Sequence, residues 1–357
     1  VHNPPMRCLV YTCPGEIGIE ERDRPVLLDR RDAIIKVTMA SICTSDLHII
    51  GGNVPKALPG IVLGHEFVGV VEDTGDLVSN VKPGDRVAVN CETFCGCCYF
   101  CRHGWVNNCT DAHGGWNLGC VSDGGQAEYA RIPYADNALT PIPERVSDQA
   151  ALLTGDLLST GYWAADIGGI SEGDVVAVIG AGPTGACCAM MARARGAGRI
   201  AMLDPDSGRL DFALEHSYAD AVCDPSREDP VAFIEGLTEG RGADVVIETG
   251  GTSESFRSSW MIARPNATVV IVAMYGSPQT LPLPDMYGKN LVFKTGGVDA
   301  CHCGEIMDMI ADGRIDARPL ITHTMPFSEV EKAYRIFSER LDGVMKVALQ
   351  MDNNVHQ

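Results

Sequence analysis

The stretch that most constrains the fold of this chain is Gly180-Ala181-Gly182-Pro183-Thr184-Gly185. It follows an unbroken apolar run, Asp174-Val175-Val176-Ala177-Val178-Ile179, and opens an Ala- and Met-rich run that reads as a helix from Gly185 to Arg195. Alone, a Gly-x-Gly-x-x-Gly pattern says little. Between a buried strand and a helix, each glycine has its own role. The first turns the chain, the second admits a pyrophosphate to the backbone, and the third packs helix on strand. The helix start adds unpaired N–H groups and the positive end of its dipole. Asp204 closes the next strand, Arg199–Asp204, about twenty residues on, where an acid can accept hydrogen bonds from an adenosine ribose.

The texture around this stretch supports the same reading. From about residue 160, helices at 207–216 and 230–238 alternate with strands at 221–223, 244–248, 268–272 and 291–294. Their Val/Ile runs do not alternate with polar residues, as expected of parallel strands covered on both faces. Before residue 160 the chain is different, with short strand signals at 33–39, 67–72 and 86–89 among Gly/Pro turns, which predict a β-rich, barrel-like unit. After residue 300 come helices at 305–312 and 329–340, the second with Ser328 as N-cap, then a strand at 344–349. The fold class is α/β: a doubly wound parallel sheet beside a β-rich unit. The five residues ahead of Met6 are left out of this reading.

Two short runs carry metal chemistry. Cys43-Thr44-Ser45-Asp46-Leu47-His48 and Gly64-His65-Glu66 supply a thiolate, an imidazole and a carboxylate, the ligand types of catalytic zinc sites. Ser45 and His48 beside such a metal form a candidate proton path, and Asp46 a candidate partner that orients a ligand. A third run, Cys95, Cys98, Cys101 and Cys109, is spaced Cys-x2-Cys-x2-Cys-x7-Cys and can wrap a structural zinc with no open position. An iron–sulfur cluster and plain reduced thiols are the alternatives, and Cys91 and Cys97 leave the register open.

The net charge of −19 argues against nucleic acid, which needs clustered Lys and Arg. No apolar stretch is long enough to span a bilayer, so no membrane partner is expected. Fifteen cysteines, with adjacent pairs at 97–98 and 187–188 and no export signal, favour metal over disulfides and a cytoplasmic setting.

The Cys-x-Ser/Thr-Asp-x-His and Gly-His-Glu-x-x-Gly-x-Val patterns at Cys43 and Gly64 resemble the zinc-dependent medium-chain alcohol dehydrogenases, and most of all their bacterial secondary-alcohol branch. The resemblance runs from about Arg7 to Leu349. It implies a GroES-like catalytic domain (6–160, completed by 301–357) around a Rossmann NAD-binding domain (161–300). It also implies a homo-oligomer, tetramer or dimer. It selects Cys98 over Cys97 for the structural zinc, with Gly96 and Gly104 in place, although many secondary-alcohol relatives lack this loop. Asp156, ahead of Ser159-Thr160-Gly161-Tyr162, matches the remaining ligand of the catalytic zinc, with Glu66 behind it or bound intermittently. Gly180, Gly182, Pro183, Thr184, Gly185 and Asp204 match the cofactor site, Arg209 and Lys346 positions flanking the nucleotide, and Glu92, Trp116 and Ala300 the substrate pocket. The implied reaction is hydride transfer between an alcohol and NAD, with Ser45 and His48 carrying the proton through the nicotinamide ribose. A zinc lyase or aldehyde dismutase with tightly held NAD, and a metal- and nucleotide-binding redox sensor, are the alternatives.

Overall fold

The computed structural model describes residues 5–352; residues 1–4 of the stretch set aside above, and 353–357 of the expected C-terminal segment, lie outside the described residues. The chain divides into two compact units, Thr160–Val298 and the remainder on either side of it.

The Thr160–Val298 unit is built on six parallel strands. In space they run Ala221–Cys223, Arg199–Leu203, Val175–Ile179, Ala243–Glu248, Ala263–Ile271, Val292–Thr295. The first strand in sequence therefore lies third, between the second and the fourth, which is the doubly wound order. Val175–Ile179 is buried at every residue, as a strand covered on both faces must be. The helix Pro183–Ala194 is buried from Gly185 to Ala192, so its small residues and both adjacent cysteines serve close packing. A Cβ on Gly185 would stand 1.9 Å from the Gly180 carbonyl oxygen, so no other residue fits that crossing.

The other unit is β-rich. Ala33–Ser41 is its spine, pairing antiparallel with Phe67–Thr74 on one side and with both Lys346–Gln350 and Tyr129–Ile132 elsewhere along its length. The C-terminal strand thus joins the N-terminal sheet through Ala348 opposite Ser41. A smaller sheet of Glu16–Arg22, Met6–Cys13 and Ile61–Val62 closes one face. Leu9, Ile35, Phe67, Val87 and Phe327 lie in its core, each at most 1% exposed. Helix Thr44–Ile50 and the π-turn Thr154–Leu158 belong to this unit.

The structure corrects the sequence-based expectation in two places. Ser328 does not cap the C-terminal helix. A 3-10 turn, Phe327–Glu329, comes first, the helix runs Val330–Ser338, and Glu329 occupies the cap without a side-chain hydrogen bond. Phe327, fully buried, anchors that tighter turn. The strand expected at 268 begins at Ala263, where a register shift lets it pass Pro265 and Asn266. No helix among the described residues is long and apolar enough to cross a membrane.

Candidate active site and metal centres

Cys43 stands at the N-cap of helix Thr44–Ile50 with extended backbone, and its N–H donates to the Asp46 carboxylate at 2.9 Å. That bond ties the thiol's peptide to the first turn of the helix. His65 follows Gly64, whose φ is +98° and whose missing Cβ would stand 2.6 Å from the Gln126 side chain. Only glycine can bring the imidazole in at that angle. Asp156 lies in the π-turn Thr154–Leu158, a wide turn of the kind that redirects a side chain at functional sites.

These three elements converge. His65 Nε2 lies 3.2 Å from Asp156 Oδ2, and Cys43 Sγ lies 3.6 Å from the same oxygen. Ligand atoms of Cys43, His65, Glu66 and Asp156 all fall within 4.8 Å of one another. Donors on a tetrahedral zinc are about 3.3–3.8 Å apart, given bonds of roughly 2.0–2.3 Å. The chemistry of the set points the same way. Glu66 Oε2 receives the Lys346 ammonium at 2.5 Å, while Glu66 Oε1 is buried with no hydrogen-bond partner. An anionic oxygen left so is costly unless a cation faces it. The residues present fit a zinc ion.

The electrostatics are those of a site built for a cation. Burial pushes the Cys43 thiol up, with Glu66 adding to it. Burial also lifts Glu66 to about 7 against the pull of Lys346. Burial would lower His65, but the carboxylates of Asp46 and Asp156 outweigh it and hold the imidazole well above its ordinary value. Asp46 Oδ1 is 3.4 Å from His65 Nδ1, an ion-pair distance.

Around the cluster, Ser45 Oγ lies 3.7 Å from Cys43 Sγ, and His48 follows one helical turn later, both half-buried. The Trp116 ring meets His65 edge-on, centroids 5.6 Å apart, and Lys56 bonds the Trp116 carbonyl. Glu92 sits between Cys91, whose N–H bonds Gly155 beside Asp156, and Thr93, which bridges to Gly115 beside Trp116. It is 4% exposed, its Oε2 has no hydrogen-bond partner, and burial raises its carboxyl to about 8 despite Lys56. Ala300 is fully buried, with its carbonyl accepting from Asn90 and Cys303. The Lys346 ammonium bonds Glu66 and, at 2.7 Å, the Ile42 carbonyl. A fully buried ammonium needs a counter-charge, and Glu66 provides it.

The cysteine loop closes as a group of Cys95, Cys98, Cys101 and Cys109, with ligand atoms within 4.8 Å. Cys98 and Cys101 sulfurs are 3.4 Å apart and Cys95 and Cys101 3.9 Å, close to the spacing of thiolates on one tetrahedral ion. Cys97 is exposed, its sulfur 3.6 Å from that of Cys95, and Cys91 is buried. Backbone N–H groups of Cys101 and Thr110 lower Cys98 to about 5, whereas burial raises Cys101 and Cys109. The thiols cannot all ionise together unless a cation neutralises them.

In the other unit, Asp204 is 7% exposed, and its carboxylate accepts Ala181 N–H at 2.8 Å and Asp206 N–H at 2.9 Å. It therefore braces the glycine loop as well as facing it. The Arg209 guanidinium lies beside Gly182, 3.4 Å from where a Cβ would be. Asp206 caps helix Ser207–Glu215. Glu248 went unnoticed in the sequence: fully buried, it collects the N–H groups of Gly250 and Gly251 and the Tyr275 hydroxyl at the end of its strand. Gln126, Tyr334 and Lys56 were missed too. The Gly124-Gly125 pair ahead of Gln126 was the one signal of close backbone approach there.

Comparison with known proteins gives a consistent result. The Alcohol dehydrogenase GroES-like domain family matches residues 29–144, and the Zinc-binding dehydrogenase family matches 183–309. An alcohol dehydrogenase of Cupriavidus necator is 32% identical, covering 97% of this chain and 98% of its own. The NADP-dependent isopropanol dehydrogenase of Thermoanaerobacter brockii is 30% identical, covering 93% and 96%. The solved zinc dependent alcohol dehydrogenase 2 from Streptococcus pneumonia, 36% identical, superposes with a TM-score of 0.90 over 97% of this chain and 99% of that one.

Proposed function

This chain belongs to the zinc-dependent medium-chain alcohol dehydrogenase family, and from that premise we propose that it oxidises an alcohol, secondary or otherwise functionalised, with NAD, reversibly giving the ketone or aldehyde. The observation that carries this reading is the convergence of Cys43, His65 and Asp156 beside the unpartnered Glu66 Oε1. A zinc ion held there supplies Lewis-acid polarisation of the substrate oxygen, and NAD the hydride acceptor. Asp156 in place of a second thiolate gives a donor set that pushes less charge onto its ion. Ser45 takes the hydroxyl proton, and His48, one turn on, leads it out. Trp116 and Glu92 border the substrate, the first with an apolar face and the second with an oxygen that asks for a polar group. The N–H groups at the start of helix Pro183–Ala194 hold the pyrophosphate, Arg209 adds positive charge beside Gly182, and Asp204 accepts from the ribose. The four-cysteine loop holds a second, structural zinc, and the chain works as a homo-oligomer, tetramer or dimer, in the cytoplasm.

The test is steady-state turnover over a panel of secondary alcohols, polyols and aldehydes with NAD and NADP, following reduced nicotinamide. NAD-dependent oxidation of at least one alcohol, abolished by Cys43→Ser in a protein that keeps its fold, is the expected result. A zinc-loaded protein inert to the whole panel would remove the proposal.

A further inference from the structure

We propose that Tyr334 and Gln126 are positioning residues for the catalytic metal, acting through Asp46 on Cys43 and His65; the inference rests on the metal reading of those ligands. The three side chains are buried, at 4%, 0% and 0% exposure. Tyr334, on the C-terminal helix Val330–Ser338, donates its hydroxyl to Gln126 Oε1 at 2.7 Å. Gln126 Nε2 donates to the Ser41 carbonyl at 3.1 Å and to Asp46 Oδ2 at 3.2 Å. The same Asp46 oxygen accepts the Cys43 N–H, and its other oxygen stands 3.4 Å from His65 Nδ1.

The orientation of the Gln126 amide follows from its neighbours. Turned over, its oxygen would face a carbonyl and a carboxylate, two acceptors with no proton to offer. Tyr334 completes the arrangement by donating its hydroxyl hydrogen bond to Oε1. With the amide fixed, Asp46 Oδ2 is held by donors from Gln126 and Cys43, which leaves Oδ1 for the imidazole. Partners of this kind set a ligand's tautomer and ring direction, and losing one lowers metal affinity by about 10–100-fold. Gln126 also fixes the peptide on the other side of the ligand. Its N–H bonds the Leu63 carbonyl at 2.9 Å, and it packs where a Cβ on Gly64 would be. One residue therefore braces the approach to His65 and, through Asp46, the N-cap at Cys43.

Two substitutions separate this role from general packing. Gln126→Glu keeps the shape and the acceptor for Tyr334 but replaces the donor to Asp46 and Ser41. Tyr334→Phe removes the hydroxyl alone. Zinc is titrated into metal-stripped full-length protein against a competing chelator, and cobalt(II) absorption is recorded at the Cys43 site. We expect Gln126→Glu to weaken that site by about 10–100-fold and to shift its cobalt bands. Tyr334→Phe should cause a smaller loss in the same direction, with the four-cysteine ion unaffected in both. An unmodified protein that binds a single ion, at the four-cysteine loop, overturns the metal reading and this inference with it. An unmodified protein with two ions, whose folded variants keep its competition curve or lose both ions together, overturns the positioning role alone.

Discussion

The Lys346 ammonium meets Glu66 Oε2 at 2.5 Å where neither side chain is more than 2% exposed. The pair joins the strand Lys346–Gln350 to the residue after His65. Burying both charges is costly, and breaking the pair from one side costs about 3–5 kcal/mol because the other charge stays behind. Lys346→Met should lower unfolding free energy by roughly that amount in metal-stripped protein. Adding Glu66→Gln should restore most of the loss, since the stranded carboxylate is gone. Denaturant midpoints of the single and double variants decide it, and a double variant no better than Lys346→Met would show that the ion pair is not the cause.

The donor sets around Cys43 and Cys95 lead us to expect two zinc ions per chain by elemental analysis. Cys98→Ser should remove one ion and lower stability, because the loop around it has little core of its own. Cys43→Ser should remove the other and end turnover while the fold stays. A fully active preparation with one ion per chain would contradict the two-site arrangement.

How much of this was legible in the sequence depended on whether the information was local. The glycine loop, the Cys43 and His65 runs and the cysteine spacing are contiguous patterns with a local physical meaning, and they pointed to the sites. Asp156 came only by resemblance, because a π-turn leaves no periodic trace. The Lys346–Glu66 pair spans 280 residues and Tyr334–Gln126 spans 208. A lysine in a closing strand and a tyrosine on an amphipathic helix look ordinary until the fold brings them to Glu66 and Gln126. Ser328 was misread for the opposite reason: its local signal was sound, but the buried Phe327 set the turn.

Glu92 should shape both the pH dependence and the substrate. Burial raises its carboxyl from an ordinary 4.5 to about 8, so the folded state holds a proton that the unfolded chain releases. That contribution is fully present below about pH 4.5 and is lost as pH rises through about 8. In metal-stripped protein, Glu92→Gln should therefore flatten stability between those limits and exceed the unmodified protein at pH 9, by an amount on the order of a few kcal/mol. Its unpartnered oxygen also favours an alcohol that carries another polar group over 2-propanol. Glu92→Leu should reverse that order in kcat/KM, and a wild-type preference for 2-propanol or 2-butanol would refute the assignment.

Coenzyme choice should turn on Asp204. It ends its strand with one carboxylate oxygen bound to Ala181 N–H and the other to Asp206 N–H. Each oxygen can still accept from a ribose hydroxyl, since a carboxylate offers about four acceptor positions. NADP would place a phosphate with up to two negative charges at the same edge. Two like charges about 4 Å apart cost roughly 1 kcal/mol in water and more where solvent is excluded. A lost hydrogen bond to a charged group adds about 1.5–3 kcal/mol. Together these favour NAD by about two orders of magnitude or more, at about 1.4 kcal/mol per tenfold. Asp206 and Asp224 add negative charge on neighbouring turns, although each is already engaged, Asp206 as a helix cap and Asp224 with Ser226. Asp204→Gly with Asp206→Arg should move preference toward NADP. The exchange removes the brace on the glycine loop and a cap worth about 1 kcal/mol, so the variant should also unfold at lower temperature. Steady-state kcat/KM with both coenzymes on the unmodified protein and the variant is the measurement. An unmodified protein that uses NADP as well as NAD would mean that Asp204 serves the loop and not the ribose.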